Sequence, residues 1–409
     1  MPSGARAQGL AGRASGAADG DVIDLLGRLI AFASVSAGTN LPIIHFIADH
    51  LERHGIASRL IPNEAGDKAS LIATIGPTER PGIALSAHTD VVPVAGQDWA
   101  SDPFRADIRN GRLHGRGASD MKGFLAVVLA QVGAFKRAAT ATPVHLCFSY
   151  DEELGCLGAP DLVREVASLP VPPALCIVGE PTAMKVARAH KGKFARRVII
   201  TGRGGHSALL HRAASAVEAA TEVASGLFAL GRTLRATTDA AFEPPYASLH
   251  VGSLHGGGAL NLVPDRATLE FEARTLPGTD SAALDAAIKA ILDKARARLH
   301  VQAPEAEITV ETLSDYPGLD TQADSAALGF VSALADFREP PVTLAFGTEA
   351  GLYHAAGIAT LVCGPGDIAR AHKADEWIGL DELAAAGAMM GRLTARLSAP
   401  LDLASNPIA

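Results

Sequence analysis

Apolar residues recur at helical spacing over 21–32 and again over 41–54, and each stretch predicts an amphipathic helix. Short aliphatic runs then take over at 56–61, 70–75 and 83–87, with the length of buried strands. A helix opened by Ser and Asp is predicted over 119–137, a strand over 144–150, a helix over 161–168 and a strand over 175–178. This alternation predicts an α/β fold whose sheet is covered by helices on both faces. Between Met184 and Ser314 the rhythm lengthens to strands over 194–202, 249–254 and 267–274, with a helix starting at Ala213. A second helix there carries Leu284, Ile288, Ile291, Leu292, Ala295 and Leu299 on one face, as in a sheet with two helices on one side. After Tyr316 the first rhythm returns, with a strand over 361–363 and a last helix over 380–397. The expected architecture is an α/β domain over 21–183 plus 316–397, interrupted by a smaller α+β domain over 184–315.

A length of 409 residues agrees with two or three domains at about 150 residues each. Apolar residues at 48% and charged residues at 20% exclude general disorder, and aromatics at 5% make the core aliphatic. The net charge is −8 without a run of Lys or Arg that could track phosphates, so neither nucleic acid nor an anionic membrane is an expected partner. The most apolar stretch, 124–135, is interrupted by Gln131 and falls short of the roughly 20 residues that cross a bilayer. The first 20 residues lack an apolar core, so a solvated, disordered tail is expected there rather than a secretory signal. Cys147, Cys156, Cys176 and Cys363 show no CxxC spacing, as expected of reduced cysteines in the cytoplasm.

The candidate chemistry collects at predicted strand ends, where open α/β sheets bind their ligands. His88-Thr89-Asp90 follows one strand, Asp151-Glu152-Glu153 a second and Gly179-Glu180-Pro181-Thr182 a third, while His372 lies beyond a fourth. Three adjacent carboxylates repel one another unless a cation is near or the turn is solvated. Gly115-Arg116-Gly117-Ala118-Ser119-Asp120 superficially matches a dinucleotide loop, but Asp120 stands where the last glycine belongs, and alone would read as a helix cap. No P-loop, GxSxG or HExxH motif is present. Two histidines and at least three carboxylates at the ends of one sheet suit zinc or a related divalent ion.

The ordered set His88-Thr89-Asp90, Gly115 to Gly123, Asp151-Glu152-Glu153, Gly179 to Thr182 and His372 resembles the M20 family of dizinc metallopeptidases and deacylases, over nearly all of 21–397. The resemblance implies a zinc-exopeptidase-like catalytic domain with a lid and dimerisation insertion. It implies two divalent ions, Zn2+ or Co2+, with His88 and Glu180 on one, Glu153 and His372 on the other, and Asp120 between them. Asp90 would orient His88, Glu152 would be the general base, and the Asp120–Met121 peptide would be cis. His206, in Gly204-Gly205-His206-Ser207, would cross a homodimer to stabilise an oxyanion. Asn261, Arg274, Gly347 and Thr348 would bind substrate, although Arg274 also suits a salt bridge within the insertion. Within the family, His190 to Lys193, Asn261 and Phe346 to Gly351 look most like acetylornithine deacetylases, which implies hydrolysis of N2-acetyl-L-ornithine to L-ornithine and acetate. Glu349 would attract a cationic side chain or serve as a helix-start acid. The alternatives are another N-acyl amino acid such as acetylcitrulline or succinyl-diaminopimelate, a dipeptide, or a non-catalytic binding protein on the same fold.

Overall fold

The computed structural model describes residues 20–36 and 38–404; the tail expected over 1–20 lies outside them except for Gly20. Helices α1 (Gly20–Ile30) and α2 (Leu41–Arg53) bury Leu25, Leu26, Leu29, Ile43, Ile44 and Ile47. Strands β1 (Ser58–Pro62), β2 (Ala69–Ile75) and β3 (Ile83–His88) follow, then the short pair β4 (Asp107–Arg109) and β5 (Arg112–His114). After a helical turn at Ala118–Lys122 come α3 (Gly123–Ala130), α4 (Val132–Ala138), β6 (Val144–Ser149), α5 (Ala159–Ala167) and β7 (Leu175–Val178). The middle of the chain forms β8 (Ala187–His190), β9 (Gly192–Thr201), β10 (Gly205–His206), α6 (Ala216–Leu234), β11 (Ser248–Gly256), β12 (Leu262–Val263), β13 (Arg266–Thr275), α7 (Ser281–Gln302) and β14 (Glu307–Tyr316). The last elements are β15 (Leu319–Asp320), α8 (Ala326–Ala335), β16 (Val342–Leu344), α9 (Ala350–Ala355), β17 (Ala359–Val362), β18 (Trp377–Gly379) and α10 (Leu380–Thr394).

The large sheet has nine strands in the order β1-β2-β6-β3-β7-β17-β8-β15, with β16 beside β8. Its centre, β6-β3-β7-β17, is parallel, and antiparallel strands flank it on both sides. Side chains alternate across it with the two-residue period of a strand. Ile83, Leu85, Leu146, Phe148 and Ile177 face one apolar core, under α1, α2, α3, α8 and α10, whereas Ala84, Cys147, Cys176 and Val178 face a second, under α5 and α9. The central strands are therefore buried on both sides, which explains their unbroken aliphatic runs.

Strands from 192–316 build a separate four-stranded antiparallel sheet, β11-β13-β9-β14. Ala267, Leu269, Phe271 and Ala273 of β13 meet α6 and α7, and α7 buries Leu284, Ile288, Leu292, Ala295 and Leu299 as its spacing predicts; Ile291 is only partly covered. The opposite face carries paired charges such as Arg197 with Glu270 and Glu311.

One expected helix is broken. The stretch 119–137 becomes the tight turn at Ala118–Lys122, then α3 and α4, which are bent by 45° about Gln131. Asp120 is no helix cap: its backbone is extended (φ −123°, ψ 96°) and the Asp120–Met121 peptide is cis. Among the described residues, no single helix is long and apolar enough to cross a membrane, and α3 is buried in the core.

Candidate metal centre

Three neighbouring parallel strands end at one place. His88 is the last residue of β3, Glu152 and Glu153 follow β6, and Glu180 follows β7. Asp120 comes from the turn before α3, and His372 from the loop after β17, where its backbone is left-handed (φ 62°). His88 Nε2 lies 3.1 Å from Asp120 Oδ1 and 3.9 Å from Glu180 Oε1. His372 Nε2 lies 3.2 Å from Asp120 Oδ2 and 3.0 Å from Glu153 Oε2. The two oxygens of Asp120 thus face different imidazoles. Ligand atoms of His88, Glu152 and Glu180, and of His88, Asp120 and Glu153, converge closely enough to share an ion.

Asp90 braces two of these strand ends at once. His88 Nδ1 is 3.0 Å from the Asp90 backbone oxygen and 3.5 Å from its carboxylate. That carboxylate also accepts hydrogen bonds from Ser36 Oγ (2.7 Å) and from the backbone N–H groups of Glu152 (3.2 Å) and Glu153 (3.3 Å). Of the three adjacent acids, Asp151 is drawn away from the centre: Lys68 Nζ holds its two oxygens at 2.7 and 2.6 Å. This leaves Glu152 and Glu153 for the site.

Glu376 and Arg116, given no role by the motif reading, support the far side. Glu376, 1% exposed, accepts hydrogen bonds from the backbone N–H groups of Gly117 (3.0 Å), Ser119 (2.9 Å) and Asp120 (3.0 Å), and from Arg116 NH1 (2.8 Å). Arg116 also donates to the Lys373 carbonyl (3.2 Å) and to Gln97, whose amide donates to the His372 carbonyl (2.9 Å). Gly117 turns through φ 80°, a conformation that side-chain-bearing residues seldom adopt.

Five carboxylates, Asp90, Asp120, Glu152, Glu153 and Glu180, crowd two imidazoles, so acidic groups outnumber the rings that could balance them. Burial pushes Glu152 up to about 8, helped by the charges of Glu153, Asp120 and Asp90. Burial raises Glu153 and Glu180 as well. Hydrogen bonds to Asp120 and Glu153 push His372 up to about 10. Glu180 Oε1 is buried without a hydrogen-bond partner. Excess buried carboxylates with an unpaired oxygen, beside two imidazoles, are what a pair of divalent cations would satisfy.

The residues expected to meet substrate are spread over several elements. His206 is exposed on β10, paired with β12, and its Nδ1 accepts from Ala208 N at 3.1 Å. The Asn261 carbonyl accepts from Ser207 N at 3.0 Å, so Asn261 and His206 lie on paired neighbouring segments, beside a cavity of about 600 Å³ lined by Gly204, Gly205, His255, Val263 and Asp265. Arg274 is engaged within the insertion by Glu272, Nε to Oε1 at 3.1 Å, with Tyr316 near its charge. Gly347 packs on the same Tyr316 ring: a β-carbon there would fall 2.4 Å from Tyr316 Cε2 and 2.7 Å from the Lys191 carbonyl. Tyr316, unmarked by any motif, thereby joins Arg274 and Gly347. Thr348 is wholly buried, its hydroxyl accepting from Ala350 N at 3.0 Å. Glu349 is 1% exposed and accepts from Ser86 Oγ (2.5 Å) and Ser149 Oγ (2.6 Å), beneath the ends of β3 and β6. Sealed there, it has no open face for a cationic side chain.

The fold and site together define a metal-dependent hydrolase of amide bonds. The profile of peptidase family M20/M25/M40 matches residues 84–396, and the chain belongs to that family. It is 31% identical to an acetylornithine deacetylase of Proteus mirabilis (strain HI4320), covering 91% of this chain and 95% of that protein. It is also 31% identical to an acetylornithine deacetylase of Myxococcus xanthus, covering 90% and 96%. Among solved structures, an M20 family metallo-carboxypeptidase from Sulfolobus solfataricus superposes with a TM-score of 0.73 at 18% identity, covering 93% of this chain and 99% of that one. A dinuclear metal binding peptidase of the M20 family from Bacillus subtilis gives 0.62 at 16% identity, covering 91% and 96%.

Proposed function

We propose that this chain hydrolyses N2-acetyl-L-ornithine to L-ornithine and acetate, a step of arginine biosynthesis in the cytoplasm. The observation that carries the substrate is the similarity to acetylornithine deacetylases along nine-tenths of the chain. Four buried free cysteines suit a reducing compartment.

The centre would hold two zinc ions, one by His88 and Glu180, the other by Glu153 and His372, with Asp120 between them. When bound, such a pair lowers the pKa of a water and polarises the scissile carbonyl. Glu152 takes a proton from the attacking water and returns it to the departing amine nitrogen as the C–N bond breaks. Asp90 keeps His88 in one tautomer and anchors the backbone that aims Glu152. The 184–315 unit would act as lid and dimerisation domain, with His206 of one subunit stabilising the oxyanion in the other.

Two experiments test this. The metal-loaded protein should show its highest kcat/KM on acetylornithine in a panel with acetylcitrulline, acetylmethionine, succinyl-diaminopimelate and a dipeptide; preference for any other member overturns the substrate. His206→Ala and Glu152→Gln, each nearly inactive, should regain part of the activity when mixed into heterodimers, and no recovery would reject the shared site.

A further inference from the structure

Asp120 and His372 are 252 positions apart in the chain, yet one buried ion pair spans both of their loops. The Glu376 carboxylate uses Oε1 for the N–H groups of Ser119 (2.9 Å) and Asp120 (3.0 Å), and Oε2 for Gly117 N (3.0 Å) and Arg116 NH1 (2.8 Å). Its own carbonyl accepts from Gly115 N at 2.9 Å. Three converging backbone donors make the turn an anion nest, and here the anion is a side chain of the His372 loop. The guanidinium, 1% exposed, continues the path: it donates to the Lys373 carbonyl and to Gln97, and Gln97 Nε2 donates to the His372 carbonyl. The turn that presents Asp120 and the loop that presents His372 are thus fastened to each other at both ends. His88 and Glu180, at the ends of β3 and β7, are held by the sheet and lie outside this network.

We propose that Glu376, acting with Arg116 and Gln97, is a positioning residue that fixes Asp120 relative to His372 and so sets the affinity of the ion held by Glu153 and His372. This rests on the two-metal reading of the site. Partners that orient ligands in this way typically change metal affinity roughly 10–100-fold when removed, and the effect should fall harder on the ion of Glu153 and His372, because the His372 loop and the Asp120 turn both lie in the network, whereas the other ion has only Asp120 there.

The test is calorimetric titration of the metal-free protein with Co2+, read together with the visible spectrum of the bound ion. Glu376→Gln should bind one Co2+ within about threefold of wild type and the other roughly 10–100-fold more weakly, with an altered spectrum of the weaker ion. Gln97→Ala, on a partly exposed loop, should weaken the same ion by a smaller factor. Unchanged affinities and spectrum in Glu376→Gln overturn the proposal, as does equal weakening of both ions alongside a lowered melting temperature. If Glu376→Gln does not fold, Gln97→Ala decides alone, and wild-type binding in that variant overturns it. A wild-type chain that takes up fewer than two Co2+ ions would instead overturn the two-metal reading itself.

Discussion

Glu152 and Glu153 are adjacent in sequence and differ in what surrounds them. Glu153 sits against His372 at 3.0 Å, whereas the Glu152 carboxylate accepts from Cys156 Sγ at 3.5 Å. Glu152→Gln keeps the shape and removes the base, so kcat should fall by about 10²–10⁴-fold with metal content unchanged, as measured by turnover and elemental analysis. Asp90→Ala removes an acceptor shared by Ser36 and two backbone N–H groups beside His88. It should therefore lower metal affinity roughly 10–100-fold, read by competition with a chelator. The imidazoles and acids of the centre are legible in the sequence because each follows an aliphatic strand, and strand ends of a parallel sheet converge. Glu376 is not, because most of its partners are backbone amides that carry no side-chain signature. The separate path of Asp151 is hidden for a similar reason, since it depends on Lys68, 83 positions away.

Elements were readable where one period ran unbroken, and misread where tertiary bonds replaced local ones. The five residues of Ala118–Lys122 carry a helical pattern, but Glu376 takes the donors of Ser119 and Asp120 and the backbone leaves the helical path at Asp120 (φ −123°, ψ 96°). The short strands β4, β5, β15, β16 and β18 have two or three residues each, too few for a two-residue alternation to register. The start of α6 is set in the same way. Ala214 pairs with Arg203 as a bridge, so the helix expected from Ala213 begins at Ala216, where Ser215 Oγ accepts from Glu218 N at 3.2 Å. Ser215→Ala should cost about 1 kcal/mol locally. Hydrogen exchange in the first turn of α6 should accelerate roughly fivefold while exchange in the large sheet is unaffected.

At the scale of the whole molecule, the large sheet buries histidines that serve no metal. His145 lies inside β6, 2% exposed, with Thr74 Oγ1 at 3.0 Å from Nδ1 and no partner for Nε2. Burial lowers it to about 4, and burial likewise lowers His190, the last residue of β8, to about 4. Both rings are neutral in the folded chain at pH 7, whereas an unfolded chain takes up their protons near 6.5. Because the unfolded state binds more protons across that interval, each ring contributes stability that is complete above pH 6.5 and is lost as pH falls toward 4. For His145 the loss between pH 7 and pH 5 comes to about 2 kcal/mol. His145→Gln cannot take up that proton in either state. Other titrating groups cancel when the variant is compared with wild type, so the variant's unfolding midpoint should fall less steeply with acid. Its stability relative to wild type should improve by about 2 kcal/mol from pH 7 to pH 5, whatever constant offset the altered packing introduces. Parallel curves over that range would mean that the sheet admits the proton at His145 without opening.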